Sequence, residues 1–258
     1  MTSVLRYAAD ALDAVGLGEP AFRIFQRLQA AAFKDKSSDP GLPPPLLRVL
    51  TAGTADPDVF IAQGRHWANF LGSVAKSHGF EESAESVVLE FGCGSGRAAR
   101  WWIEQYRCDF HGCDIQSRLV AWCSKNLGGK FSTNDLEPPL AYQSETFDLI
   151  YAISVFTHLG EDMSAQWFSE LARVVKTGGL ALITFHDELS SGAETGNHKL
   201  LKSGFAVRRS GAEGGNLLSV FYSAGGIAER AGPNWQVQQV IGSQETGGGQ
   251  ALAVLKKI

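Results

Sequence analysis

No apolar run in this 258-residue chain comes near the length needed to cross a bilayer. The longest uncharged one, Gly179 to Phe185, is far shorter than the roughly 20 residues of a membrane helix, so no membrane insertion is expected. Cysteine is scarce too: Cys93, Cys108, Cys113 and Cys123 lie 15, 5 and 10 residues apart. Those spacings fit neither a CxxC metal pair nor a disulfide framework, and reduced, packed thiols are the expectation. Basic excess is absent as well, because 23 Lys and Arg against 27 Asp and Glu leave a net charge of −4. Only short pairs such as Arg208-Arg209 and Lys256-Lys257 occur, which argues against a nucleic-acid partner. The opening stretch MTSVLRYAADALDAVG places Arg6, Asp10 and Asp13 where a secretory signal needs unbroken apolar residues, so a cytoplasmic location is expected. No internal repeat is visible. The composition that remains is that of a mildly acidic globular protein, 44% apolar, long enough to bury a core without staples and to hold one domain with an extension.

Five of the nine prolines (Pro40, Pro43, Pro44, Pro45, Pro57) fall between Lys36 and Asp58, separating a helical piece from the rest of the chain. Before them, Pro20 suits the first turn of a helix whose Phe22, Phe25, Leu28 and Ala32 form one apolar stripe. After them, Asp56-Pro57 reads as an N-cap and first helical position, and Phe60, Gly64, Trp67, Leu71 and Val74 continue a helix that stops at Gly79. Residues 1–85 are thus expected to be helices and loop, and 86–258 a second unit. From Ser86 short apolar runs alternate with amphipathic stretches, the signature of βαβ units and a parallel sheet. Strands are predicted at Val87 to Phe91, Asp109 to Cys113, Lys130 to Thr133, Phe147 to Ala152 and Leu180 to Phe185. Helices are predicted at Arg97 to Tyr106, Ser117 to Leu127 and Asp162 to Lys176, the last broken by Gly178-Gly179. Beyond Asp187, where 13 of the 29 glycines lie from Gly192 onward, the pattern weakens. Strands around Leu217 to Tyr222, Gln236 to Ile241 and Gln250 to Leu255 are expected, the last two as a hairpin.

The strongest local signal is the run from Val87 to Gly96, VVLEFGCGSG, an apolar strand entering a glycine-rich turn and then a helix. Glycine lets a ligand approach the backbone and permits positive φ. A dinucleotide fingerprint would need G-x-G-x-x-G, but Arg97 or Ala99 occupies the third position, so nicotinamide cofactors are disfavoured. Glu90-Phe91-Gly92-Cys93-Gly94-Ser95-Gly96 resembles the E-x-G-x-G-x-G first motif of class I S-adenosylmethionine-dependent methyltransferases. The resemblance implies a Rossmann-like, doubly wound α/β fold with a mostly parallel seven-stranded sheet, its last strand antiparallel, behind an N-terminal helical extension. It implies S-adenosylmethionine as cofactor, S-adenosylhomocysteine as product and no metal. It further implies cofactor contacts from Glu90, Phe91, Gly92, Cys93, Gly94 and Gly96 and a ribose-binding carboxylate at Asp114, 24 residues after Glu90. A carboxylate can accept two hydrogen bonds from a cis-diol. Ile115 matches the apolar adenine contact, and Asn134, Asp135 and Leu136 match the segment that binds the adenine amino group. Phe147 to Ala152 is similar to the fourth-strand motif, with Ala152 and Ser154 at its cofactor-facing end, and Arg173 to Gly179 is similar to the turn before strand five. A looser likeness, through Pro43 to Arg48, Gly64-Arg65, Tyr151 to Leu159 and Gly249 to Lys256, is to bacterial small-molecule methyltransferases. Their terminal pattern is commonly G-x-Q-D, and Ala251 stands here in place of the Asp.

Methyl transfer from a sulfonium is an in-line displacement that needs positioning, exclusion of water and, for a hydroxyl or protonated amine, a general base. His158 after strand four and His186 after strand five stand at the ligand-binding edge of an open α/β sheet and are the base candidates. Ala152-Ile153-Ser154-Val155 lacks the Pro-Pro-aromatic run of nucleobase amino-methylating enzymes, no Pro-Cys nucleophile occurs, and no acidic cluster suggests a divalent-metal site. A small hydroxylated metabolite or sugar is the expected acceptor, the N-terminal helices a partial lid over it. Two other classes remain open. A non-catalytic adenosyl-binding module would bind cofactor without turnover, and an aminopropyl transferase would need a carboxylate-rich polyamine pocket. Nothing in the chain speaks to its oligomeric state.

Overall fold

A computed structural model describes residues 16–34, 41–190, 203–209 and 211–258, without the side chains of Arg208 and Arg209. The opening stretch, expected to lack a secretory signal, and part of the proline-rich segment lie outside the described residues. Three helices come first: α1 (Gly18–Ala32), α2 (Pro45–Ala52) and α3 (Pro57–Ser77). Asp56 caps α3, its side chain accepting the N–H of Asp58 at 2.8 Å and of Val59 at 3.4 Å, with Pro57 in the first turn. The proline-rich segment is pinned by buried Arg48 of α2, which donates to the carbonyls of Ala55 and Pro43. No strand precedes Val87 among the described residues.

The remainder alternates β1 (Val87–Phe91), α4 (Ala99–Gln105), β2 (Asp109–Asp114), α5 (Ser117–Asn126), β3 (Lys130–Thr133), β4 (Phe147–Ala152), α6 (Glu161–Val174) and β5 (Val175–Phe185). Then come β6 (Phe205–Arg209), β7 (Ser219–Tyr222), α7 (Ala224–Ala231), β8 (Trp235–Ile241), α8 (Ser243–Thr246) and β9 (Ala251–Lys257). The main sheet has seven strands in the order β3-β2-β1-β4-β5-β9-β8. β1 to β5 pair in parallel, and β9 runs antiparallel to both β5 and β8. β6 and β7 form a separate antiparallel pair.

Burial on both faces explains the near-continuous apolar strands. Leu149 and Tyr151 of β4 pack with Trp67, Leu71 and Val74 of α3 and Trp102 of α4, whereas Ile150 and Ala152 face Trp167, Phe168 and Leu171 of α6. α3 therefore shares one core with the sheet. The four cysteines are free thiols, three of them buried, and among the described residues no helix is long and apolar enough to cross a membrane.

Three expectations change. α6 ends at Val174 and β5 begins at Val175, so Gly178-Gly179 lie inside the strand rather than ending the helix; there the β4–β5 register shifts, between Phe147 and Leu149. The predicted stripe of α1 is not its packed face, because Phe25 and Leu28 are exposed while Gln26 and Ala30 are buried. α1 docks through Ala30 onto Val49 and Ala55, which turns the line through Gln26 inward. Finally, the strand expected around Leu217 to Tyr222 is the shorter β7; it pairs with an unpredicted β6, meets the end of β5 through a bridge between Phe221 and His186, and is followed by α7.

Candidate active site

The glycine-rich turn is built against the end of β2. Gly92 and Cys93 both donate to the Cys113 carbonyl, at 2.8 and 2.9 Å, and Gly94 donates to Asp114 Oδ2 at 2.9 Å. Asp114 Oδ1 accepts from the N–H of Gln116 at 2.8 Å. Gly92 and Gly94 both have positive φ, 76° and 55°. A Cβ at Gly92 would lie 2.3 Å from Val155 Cγ2, and one at Gly94 2.6 Å from Thr51 Cγ2. The turn is thus crowded from two sides as well as left-handed. Burial pushes the Asp114 carboxyl above its usual range, while the hydrogen bonds from Gln116 and Gly94 pull it back. Glu90, only 3% exposed, takes a 3.2 Å hydrogen bond from the Tyr151 hydroxyl. Desolvation raises its carboxyl to about 8 despite nearby Arg97.

Beside this turn runs a cleft of about 120 Å³. Of the residues singled out in the sequence, Glu90, Phe91, Gly92, Cys93, Gly94, Asp114, Ile115, Asn134, Leu136, Ser154 and His158 line it. Gly96 sits behind the turn against Leu127 and Cys123, Ala152 is fully buried in the core, and exposed Asp135 does not line the cleft. Ile115, Leu119 and Leu136 make one apolar side, closed by Gly214, where a Cβ would lie 3.0 Å from the Cδ1 of both Ile115 and Leu136. Next to it, Asn134 donates through Nδ2 to the Asp135 carbonyl at 2.7 Å, and its Oδ1 is buried with no partner.

A second cavity, about 610 Å³, shares Thr51, Arg97, Ser154, His158 and Asn216 with the first. Ser154 stands at the junction with φ 63°, left-handed for a residue that has a Cβ. A directed chain of hydrogen bonds holds it. The Ser154 N–H donates to Thr184 Oγ1 at 2.8 Å, and that hydroxyl donates to Gln250 Oε1 at 2.7 Å. Gln250 Nε2 is therefore the donor to Ser154 Oγ at 2.8 Å, and it lies 3.4 Å from His186 Nε2. His186, which lines the second cavity only, thus receives an amide proton on Nε2. His158 is the opposite case. Its Nδ1 is 2.6 Å from the Leu218 carbonyl, which can only accept, so Nδ1 carries the proton and Nε2 keeps its lone pair. Desolvation lowers the pKa of this imidazole, against the Leu218 hydrogen bond.

Several lining residues had no local signal in the sequence. Thr51 of α2 accepts the Ser95 N–H at 2.9 Å, fastening that helix to the turn. The loop before β7 is tied to the β4 exit by Gly214 N–H to His158 O and Gly160 N–H to Glu213 Oε2, each 2.8 Å, and to α2 by Asn216 Nδ2 to Leu50 O at 2.9 Å. Tertiary packing alone brings these to the site, as it does Gln63 and His66 of α3. Gln250 belongs to the G-x-Q pattern near the C-terminus.

Comparison with known proteins gives concordant findings. A family profile described as a methyltransferase domain matches residues 88–179. A tRNA (carboxymethyluridine(34)-5-O)-methyltransferase of Arabidopsis thaliana is 38% identical over 100 residues, covering 38% of this chain and 24% of the relative. A phosphoethanolamine N-methyltransferase of Plasmodium falciparum is 30% identical over 108 residues, covering 40% of this chain and 40% of the relative. The chain therefore spans less than half the length of either curated relative. The crystal structure of an S-adenosylmethionine-dependent methyltransferase from Mesorhizobium loti superposes with a TM-score of 0.55 at 15% identity, covering 73% of this chain and 98% of that one. Residues 88–179 match a methyltransferase domain, and the chain has the Rossmann-like fold of solved S-adenosylmethionine-dependent methyltransferases.

Proposed function

We propose that the chain transfers the methyl group of S-adenosylmethionine to a hydroxyl or amine of a small-molecule acceptor, a sugar or other hydroxylated metabolite. The observation that carries this reading is the meeting of two cavities at Ser154 and His158, one bordered by the glycine turn and Asp114, the other mostly by uncharged side chains. The cofactor fits the first on the residues present. Each Asp114 oxygen spends one lone pair on a backbone N–H and keeps one for a ribose hydroxyl. Asn134 Oδ1, buried and unpaired beside Ile115 and Leu136, suits an adenine amino group. Bound there, S-adenosylmethionine would supply a methyl group activated by its positively charged sulfur.

The chain's own part is to hold, desolvate and deprotonate. His158 Nε2, neutral and facing both cavities, takes the acceptor's proton; His186 is demoted from base to positioning because its Nε2 already meets Gln250. Residues 1–85 act as a partial lid on the unit 86–258: Leu50 and Thr51 of α2 border the cleft, and the loop bonded to Leu50 and His158 completes the cover. A polyamine acceptor is disfavoured because no carboxylate among the described residues lines the second cavity.

The test is thermal unfolding with S-adenosylmethionine, S-adenosylhomocysteine or NADH, on the wild type and on Asp114→Ala. Near 100 Kd a ligand adds about 2.7 kcal/mol, or roughly 5–10 °C at this chain length. A shift with the adenosyl ligands alone that collapses in Asp114→Ala is expected. A shift with NADH instead would refute the reading.

A further inference from the structure

The second cavity extends past the cofactor cleft, and two polar side chains that border it, buried Gln26 and half-buried His66, carry atoms without a hydrogen-bond partner among the described residues. Gln26 of α1 is 6% exposed, lines this cavity and not the cofactor cleft, and its side-chain amide has no hydrogen-bond partner among the described residues, while its amide atoms are not sealed from water. His66 of α3 has a buried Nε2 with no partner. Its ring is held in place by Trp67 at 5.5 Å edge-on and Phe70 at 6.0 Å stacked. Buried polar groups are almost always satisfied, and leaving one unsatisfied is costly. Here one such group, His66 Nε2, and the unpartnered amide of Gln26, on separate helices, border one cavity of about 610 Å³. That coincidence points to a ligand that satisfies them.

The chemistry of the lining narrows its class. Among the described residues no carboxylate borders the cavity, and the one Arg or Lys there, Arg97, gives a single N–H to neutral Gln63 at 2.8 Å and stands beside Glu90. A cationic amine would find no counter-charge among these residues and would meet the Arg97 guanidinium instead, while a phosphate would have that single cation and no cluster of them. An amide needs a partner that both donates and accepts, and an imidazole nitrogen accepts or donates with its tautomer; a hydroxyl meets each of these demands. Trp67 and Phe22 add apolar surface to the same lining, as suits the C–H face of a sugar ring. We propose that Gln26 and His66 form the recognition subsite for a neutral polyhydroxylated acceptor, a free sugar or cyclic polyol. This rests on the methyltransferase reading and assigns its acceptor specificity to the N-terminal helices.

The experiment measures S-adenosylhomocysteine release with a panel of neutral hexoses, pentoses and myo-inositol, beside spermidine, phosphoethanolamine and a tRNA anticodon stem-loop. Wild type, Gln26→Leu, His66→Phe and His66→Gln are compared. Transfer to a neutral member is expected, with its KM raised about tenfold or more in Gln26→Leu and His66→Phe, as for loss of a buried hydrogen bond, and less in His66→Gln. S-adenosylhomocysteine affinity stays within about twofold of the wild type, and the ligand-free melting temperature of His66→Phe is unchanged or higher, because an unsatisfied buried nitrogen has been replaced by an apolar group. Transfer only to the charged or RNA probes, no transfer to any probe, an unmoved KM, or a marked loss of ligand-free stability in both apolar variants overturns the proposal. Failure of the wild type to bind S-adenosylhomocysteine refutes the underlying methyltransferase reading instead.

Discussion

Replacing Glu90 by Gln should reshape the pH dependence of stability. Glu90 lies at the end of β1, 3% exposed, and desolvation raises its carboxyl from 4.5 to about 8, with Arg97 and the Tyr151 hydroxyl pulling the other way. Between those values the folded protein holds a proton that the unfolded chain has released, so stability falls as pH rises. Each tenfold difference in proton affinity between the two states is worth about 1.4 kcal/mol, which makes the full loss on the order of 5 kcal/mol between pH 4.5 and 8. Gln keeps the shape and an acceptor for Tyr151 but does not titrate. The stability of Glu90→Gln minus that of the wild type should therefore climb with pH through this window and level off above it. His158 acts in the opposite sense: its lowered pKa makes stability rise toward pH 6.5, and because both proteins share it, the subtraction removes it. Urea unfolding of both proteins at pH 5, 6.5 and 8 reads the effect directly. A difference constant to within about 1 kcal/mol over that range would refute the claim that burial dominates the environment of Glu90.

Two further outcomes concern the site itself. His158→Asn should lower kcat/KM by roughly 10² to 10⁴ and abolish an acidic limb lying below pH 6.5, whereas His186→Asn should cost less than about tenfold; initial rates across pH with a productive acceptor decide between the two histidines, and the reverse order would make His186 the base. Gly94→Ala must hold φ near 55° and push a methyl group into Thr51, which should cost roughly 1–3 kcal/mol of stability and most of the S-adenosylhomocysteine affinity; calorimetric titration matching the wild type would show that the turn yields more easily than its packing implies.

The cofactor half of the site is legible in the sequence because it is local. A strand buried on both faces announces itself as VVLEF, its glycine turn comes immediately after, and Asp114 ends the next strand in register, Phe91 opposite Cys113. β4, buried along most of its length, occupies the predicted residues for the same reason, and the mostly exposed β3 also lies where it is expected. Misplaced features are those where tertiary contact overrides a local rule. Gly178-Gly179 read as a helix stop, yet Val175 already pairs with Phe147, and the glycines sit where the register shifts. The stripe on α1 is real as a pattern, but α1 meets the body along Gln26 and Ala30, and no periodicity reveals that a buried glutamine faces a cavity. β6 and α7 escape a sequence reading because the glycine-rich stretch beyond Asp187 carries little periodicity.

The acceptor half is legible only in three dimensions, and its origin along the chain bears on what the relatives can teach. Within the family match at residues 88–179, only Arg97, Ser154 and His158 border the second cavity. Its other lining residues come from α1, α2, α3, the loop before β7, the end of β5 and the segment linking β8 to β9. The shared domain therefore accounts for the glycine turn, Asp114 and the junction at Ser154, features that serve any acceptor. Residues outside it supply Gln26, His66, Asn216 and Gln250, the groups that would discriminate between acceptors. A relative aligned over about 100 residues can therefore share the cofactor half closely while methylating RNA or phosphoethanolamine, whose phosphates call for free cationic side chains. Among the described residues this cavity offers one Arg or Lys, Arg97, which gives one N–H to Gln63, and no cluster of cations. The acceptor is thus better sought from the neutral wall of that cavity than from the names of the chain's relatives.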